Sequence, residues 1–181
     1  MNPVEEAMRM AIMAHRGQTR KENGMPYAVH PIEVAKTLAN WDVTENKDII
    51  IAAVMHDVIE DCVGIDNEFI CARWGDIVGM YVRFLTILPD QNKIEYMRSL
   101  CGEVIPVEVK LIKLADRYCN VLDYHSAENE YSHKYAHKAW ELIDQFASGS
   151  LREKITERFP PTKVADRSQK AARWLLDHAK G

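Results

Sequence analysis

Four side chains in three separate segments have the chemistry to hold a divalent cation: His30, the adjacent pair His56-Asp57, and Asp116. The pair sits in Met55-His56-Asp57-Val58-Ile59-Glu60-Asp61, directly after the apolar run Ile49 to Met55. Packing does not explain His, Asp, Glu and Asp crowded at the end of a core helix. Burying unpaired charge is costly or forces neutralisation, so something must compensate these groups. A divalent cation is the simplest compensator. Two imidazole nitrogens with two carboxylates suit Zn, Mn, Fe, Co or Ni. They suit Ca or Mg less well, because those ions prefer oxygen throughout.

Helical spacing can bring these groups together. On one helix over 47–62, His56 stacks under Glu60 and Asp57 under Asp61, since residues four apart share a face. Neighbouring positions differ by about 100° around the axis, so His56 and Asp57 can converge on one ion. Glu60 and Asp61 then reach past it one turn later. His30 precedes Pro31, which suits the first turn of a helix running to about Asn40. A residue before proline is pushed to extended geometry, which places His30 at a helix mouth. Asp116 lies in Lys113-Leu114-Ala115-Asp116-Arg117-Tyr118-Cys119-Asn120, with Asn120 and Asp123 on the same helix face. A His-Asp dipeptide alone says almost nothing. The same pair backed by Glu60-Asp61, with His30 upstream and Asp116 downstream, says much more.

The whole chain has 181 residues, 47% hydrophobic and 28% charged, enough for one globular domain over 1–181 with a substantial core. No apolar stretch approaches the roughly 20 residues needed to span a bilayer. The start, Met1-Asn2-Pro3-Val4-Glu5-Glu6, lacks the basic and apolar regions of a secretion signal. The expected location is the cytoplasm, with no membrane partner. A formal charge of −4 argues against nucleic acid as a partner. An anionic substrate would need a local basic patch. Arg16, Arg20 and Lys21 offer one, and Lys110, Lys113 and Arg117 another. Cys62, Cys71, Cys101 and Cys119 show no Cys-x-x-Cys spacing and read as reduced, mostly buried thiols.

Helical periodicity dominates. A first helix follows Pro3, and 17–29 reads as a loop holding Gly24 and Pro26. Further helices are expected at 31–40, 47–62, 67–74 capped by Asp66, then on to Leu88, stopped by Pro89. Others cover 93–100, a long one opened by Pro106, then 131–147 and 162–180. The Val/Ile-rich stretch Ile49-Ile50-Ile51 could be a strand on propensity, but its apolar continuation favours helix. The architecture is therefore all-α, a single bundle of about eight to ten helices.

The motifs in this order resemble a known family. Helical His…His-Asp…Asp is similar to the HD phosphohydrolase superfamily. Ala14-His15-Arg16-Gly17-Gln18-Thr19-Arg20-Lys21, Pro26-Tyr27, His30-Pro31, His56-Asp57-Val58-Ile59-Glu60-Asp61 and Lys113-Leu114-Ala115-Asp116-Arg117-x-x-Asn120 resemble the hydrolase domain of RelA/SpoT homologues. The chain is too short for the synthetase domain of bifunctional members, so it resembles the small alarmone hydrolases, metazoan SpoT homologues included. The resemblance implies removal of the 3′-pyrophosphate from (p)ppGpp. It implies one Mn²⁺ per chain, or another divalent transition metal, held by His30, His56, Asp57 and Asp116. It makes Glu60 and Asp61 the catalytic pair. Arg20 and Lys21 would meet purine and phosphates, and Asn120 would contact the nucleotide near its ribose. Asp123 stands where long bacterial members have Thr, and Leu122 where the family often has Arg. His133, Lys134, His137 and Lys138 lie on the next expected helix, where many members place a phosphate-reaching residue.

The expected partner is a small nucleotide. Two rival readings are another HD-type nucleotide phosphohydrolase, such as a 5′-nucleotidase or NADPH phosphatase, and a nucleotide-binding regulator without catalysis. Glu60-Asp61 with Arg20-Lys21 favours the alarmone hydrolase over the first rival. The intact tetrad and acidic pair count against the second. Residue pattern leaves a homo-oligomer open. It also leaves open guanine against adenine, and alarmone clearance against neutralising a toxin.

Overall fold

Asn2 caps the first helix by accepting from the Val4 amide, and Pro3 fills the first helical position where an amide hydrogen is dispensable. That helix is α1, Pro3–Ala14. The computed structural model describes residues 2–21, 24–40 and 46–125, and α1 is followed there by seven more helices. They are α2 (Val29–Asn40), α3 (Lys47–Met55), α4 (Val58–Asp61), α5 (Asn67–Trp74), α6 (Asp76–Leu85), α7 (Lys93–Ser99) and α8 (Val107–His125). The described residues hold no strand, only an isolated antiparallel bridge between Thr19 and Pro26. The all-α expectation holds. The helices expected at 131–147 and 162–180 lie outside the described residues, as do His133, Lys134, His137 and Lys138. So does the side chain of Asp123, whose backbone is on α8.

The centre of the frame is α3. Ile49, Ile51, Ala52, Ala53, Val54 and Met55 are all buried, which is why this stretch reads as continuously apolar. It packs against α1, α2, α6 and α8. Each fully buried aliphatic side chain contributes roughly 1.5–3 kcal/mol, so α3 is held on several sides at once. α2 and α8 also pack together, and α5 and α6 form a tight pair. Gly75 turns between α5 and α6 at φ 95°, a left-handed value that favours glycine. A Cβ on Gly79 would collide with the Cys71 sulfur, so glycine there gives that side chain its room between the paired helices.

Three boundaries depart from sequence expectation, all beside the candidate site. The helix expected over 47–62 breaks at His56-Asp57 into α3 and α4. Asp57 sits at φ −102°, ψ −6°, the sparsely populated bridge region where active-site residues recur. α2 starts at Val29 and not after His30, so His30 is inside the first turn. The Pro26 and Tyr27 carbonyls accept from Val29 and His30, and Pro31 has no amide to satisfy. α6 stops at Leu85, short of Leu88, because Thr86 turns extended and its hydroxyl bonds the Val82 carbonyl. The Ile87 amide is then donated sideways, to Glu60. The four cysteines are free, but only Cys119 is buried; Cys62, Cys71 and Cys101 are half-buried.

Candidate metal centre

Three helical segments bring His30, His56 and Asp116 together, with Asp57 beside the two histidines. His30 comes from the first turn of α2, His56 and Asp57 from the break after α3, and Asp116 from the middle of α8. One ligand atom each from His30, His56 and Asp116 lies within 4.8 Å of the others, and all three residues are buried. His30 Nε2 is 3.2 Å from Asp116 Oδ1 and 3.9 Å from Asp57 Oδ2. His56 Nε2 is 2.9 Å from Asp57 Oδ2 and 4.0 Å from Asp116 Oδ1. The two imidazoles lie nearly edge to face, with centroids 5.5 Å apart.

The hydrogen bonding shows which nitrogens are available. His56 Nδ1 lies 2.8 Å from the Ala53 carbonyl oxygen, which can only accept, so Nδ1 carries the proton. Whenever the ring is neutral, Nε2 therefore carries the lone pair. It is buried and has no hydrogen-bond partner, despite the 2.9 Å approach to Asp57. A lone pair and a carboxylate oxygen side by side, neither satisfied by the other, are the donor set a cation would complete. The residues therefore fit a divalent transition metal.

A further layer fixes the acids. Tyr27 donates its hydroxyl to Asp57 Oδ2 at 2.8 Å. Asp116 Oδ2 pairs with Lys113 Nζ at 2.9 Å, and its Oδ1 accepts from Asn120 Nδ2 at 2.5 Å. Asn120 Oδ1 accepts in turn from Arg20 Nη2 at 2.8 Å, a buried contact across 100 positions of sequence. Electrostatics follow this layout. Burial works against ionisation of Asp116, but Lys113 and Arg117 hold its carboxyl well below the usual range. Asp57 is likewise held low against the cost of burial, chiefly by His56. Burial pushes the His56 pKa down, and the Asp57 and Asp116 charges outweigh it, so the net direction is up. Burial and the same acidic neighbourhood keep the Tyr27 phenol protonated, as a donor must be.

Glu60 and Asp61 lie on α4, on the exposed side of the cluster. Glu60 Oε2 accepts from the Ile87 amide at 3.1 Å, and the Asp61 carbonyl accepts from Gln18 Nε2 at 2.7 Å. Partial burial of the carboxyl ends, then the charge of Asp57, raises both above the ordinary carboxylate range. The Ile87 amide opposes the rise at Glu60. Carboxyls poised upward beside a metal-type cluster suit proton transfer.

The structure divides the expected substrate residues. Arg20 is only 8% exposed, with its guanidinium 5.6 Å from the Tyr27 ring centroid, so it is no solvated loop residue. Lys21 next to it is exposed. Asn120 is buried and bonded as above. His15 packs at the end of α1, with Nδ1 2.8 Å from Gln18 Oε1 and its ring 4.8 Å from Tyr27. Beside it, burial pushes the Cys62 thiol up to about 11, far from a reactive thiolate. Sequence reading gave no role to the Tyr27 hydroxyl or to Gln18. Both stand inside the quoted motifs, but a phenol or an amide carries no spacing signature of its own.

Known proteins resemble this chain in sequence and in fold. A family model described as HD domain matches residues 7–152. The guanosine-3′,5′-bis(diphosphate) 3′-pyrophosphohydrolase of Vibrio cholerae is 34% identical over 131 residues, covering 66% of this chain and 18% of that protein. The guanosine-3′,5′-bis(diphosphate) 3′-pyrophosphohydrolase MESH1 of Danio rerio is 28% identical over 166 residues, covering 85% of this chain and 91% of that one. The chain spans about a fifth of the length of the bacterial relatives from Vibrio cholerae and Myxococcus xanthus. A solved structure of a metazoan SpoT ortholog that hydrolyzes ppGpp superposes with a TM-score of 0.76 at 23% identity, covering 96% of each chain. At that identity the likeness speaks for the fold. The family match extends over most of the sequence and takes in every element that carries the tetrad, and the chain belongs to the HD-domain family.

Proposed function

We propose that this chain is a metal-dependent hydrolase that removes the 3′-pyrophosphate from guanosine or adenosine alarmones such as ppGpp. Pyrophosphate and a nucleoside 5′-di- or triphosphate are released. One Mn²⁺ per chain is held by His30, His56, Asp57 and Asp116. The observation that carries the reading is the buried, unsatisfied Nε2 of His56 beside Asp57 Oδ2, facing His30 and Asp116. The names of the relatives from Vibrio cholerae and Danio rerio support the substrate class. The family match over 7–152 supports reading residues 1–181 as a single HD-type domain. A nucleotide substrate is in keeping with a cytoplasmic location.

A cation bound there supplies Lewis acidity and lowers the pKa of water. The chain's own residues do the rest. Glu60 and Asp61 accept a proton from the attacking water and return one to the departing 3′ oxygen. The new bond joins water oxygen to the phosphorus on the 3′ oxygen; the bond from that phosphorus to the 3′ oxygen breaks. The Ile87 amide, donating to Glu60 Oε2, holds that carboxylate in place. Arg20 offers a planar face to the purine and Lys21 a charge to the phosphates. Asn120 and Asp123, both on α8, are assigned to the nucleotide site.

The test is a panel of 3′-pyrophosphorylated guanine and adenine nucleotides with Mn²⁺, products separated by chromatography. The expected result is pyrophosphate with GDP, GTP or the adenine equivalents, abolished by a chelator and restored by Mn²⁺. Cleavage of a 5′-nucleotide or NADPH with no alarmone turnover would overturn the substrate and leave another HD phosphohydrolase.

A further inference from the structure

We propose that Tyr27 is a positioning residue with two separable roles, its hydroxyl setting metal affinity and its ring setting nucleotide affinity. The inference rests on the hydrolase reading above only for what Arg20 and the metal centre do. Tyr27 lies in the Pro26-Tyr27 pair just before α2 and is half-buried. Its hydroxyl donates to Asp57 Oδ2 at 2.8 Å. That is the same oxygen that lies 2.9 Å from His56 Nε2 and 3.9 Å from His30 Nε2. A carboxylate oxygen has two lone pairs. With one taken by the phenol, the other is left on the side of the two imidazoles, where a cation needs it.

The ring does something different. One neighbour is His15, at 4.8 Å between centroids. His30 meets the ring edge-on at 6.0 Å. The Arg20 guanidinium lies 5.6 Å from its centroid, within reach of a cation–π contact. Arg20 is thus held between the ring and Asn120, and its plane is set before any base arrives. Pre-ordering a recognition group cuts the ordering cost of binding. The two contacts use different parts of one side chain, so two variants can separate them.

The experiment needs no turnover. Mn²⁺ is titrated into metal-free protein and free Mn²⁺ is followed by electron paramagnetic resonance. ppGpp affinity is measured separately by calorimetry in a chelator. Tyr27→Phe keeps the ring and loses the hydroxyl, so Mn²⁺ affinity falls by about 10–100-fold, the usual cost of losing an outer partner of a ligand. Its ppGpp affinity changes little. Tyr27→Leu loses both, so Mn²⁺ affinity falls equally and ppGpp affinity falls by roughly tenfold. Circular dichroism of both variants checks that the helices are intact. Unchanged Mn²⁺ affinity in Tyr27→Phe overturns the hydroxyl's role. Equal ppGpp affinity in the two variants overturns the ring's role. Wild-type protein that binds no Mn²⁺ overturns both the metal centre and the hydroxyl's role. A protein that shows both effects yet cleaves no alarmone refutes the hydrolase reading and leaves the role of Tyr27 standing.

Discussion

Asn120→Leu is the sharpest perturbation of the frame behind the metal centre. Asn120 is the link between the loop after α1 and the middle of α8. Its Nδ2 donates to Asp116 Oδ1 at 2.5 Å and its Oδ1 accepts from Arg20 at 2.8 Å. Leucine has nearly the same shape and can do neither. Each bond has a charged partner and a protected setting, where a hydrogen bond contributes about 1.5–3 kcal/mol. Neither charged group is abandoned, since Asp116 keeps Lys113 at 2.9 Å and Arg20 keeps the Tyr27 ring. The low end therefore applies to both bonds, a loss of about 3 kcal/mol. In a protein of this size each kcal/mol moves the midpoint by about 2–4 °C, so Tm falls by about 6–12 °C.

The assay is thermal unfolding by circular dichroism with a chelator present, so that no bound cation adds to stability. Asn40→Leu, at the exposed end of α2, is the control and stays within about 0.5 kcal/mol of wild type. A fall of less than ~2 °C for Asn120→Leu would show that the Arg20–Asn120–Asp116 chain holds nothing. Arg20 would then be free to leave the buried position it occupies here.

Three further outcomes concern the residues nearest the chemistry. Glu60→Gln retains Mn²⁺ and nucleotide binding but lowers turnover by roughly 10²-fold or more, read by steady-state kinetics beside a metal titration; loss of metal with normal turnover on reconstitution would refute the role. The same variant has a pH signature in the metal-free protein. Glu60 has a raised folded pKa, so its contribution to stability is present below its unfolded pKa and lost as pH rises through the folded one. Glutamine stays neutral, so Glu60→Gln unfolds at a higher temperature than wild type at pH 7, and the gap closes in acid. Arg20→Ala raises KM for ppGpp far more than it lowers kcat, and Arg20→Lys does not rescue it, because an ammonium offers no plane; an unchanged KM would move the purine site elsewhere.

Much of the frame was legible because its signals are local. Asn2, Asn46 and Asp66 cap helices by accepting from amides two or three residues on. The unbroken apolar run from Ile49 to Met55 marks a helix buried on all sides. The errors cluster where the site imposes its own geometry. No propensity breaks a helix at His56-Asp57. The break comes with the His56 ring turned onto the Ala53 carbonyl and with Asp57 in the bridge region. The early end of α6 has the same character. The amide it releases at Ile87 goes to Glu60, a residue that belongs to another helix and that no local pattern connects with α6.

The candidate site was legible in its proposed ligands and opaque in its supports, for a physical reason. A metal ligand must be one of a few residue types, so His30, His56, Asp57 and Asp116 stand out as candidates by composition. A supporting residue needs only a donor at the right distance, and about half of the alphabet can supply one. Tyr27, Gln18 and Lys113 are of that kind. Arg20 is the instructive case, because the resemblance set it against a purine and phosphates and gave it no partner within the chain. It is buried, bonded to Asn120 and set against Tyr27, and through them it sits one residue from each of the two metal-facing carboxylates. Any nucleotide that draws on Arg20 must therefore bind against that arrangement or strengthen it. Linkage makes the effect reciprocal, so whatever factor Mn²⁺ changes nucleotide affinity by, the nucleotide changes Mn²⁺ affinity by the same factor.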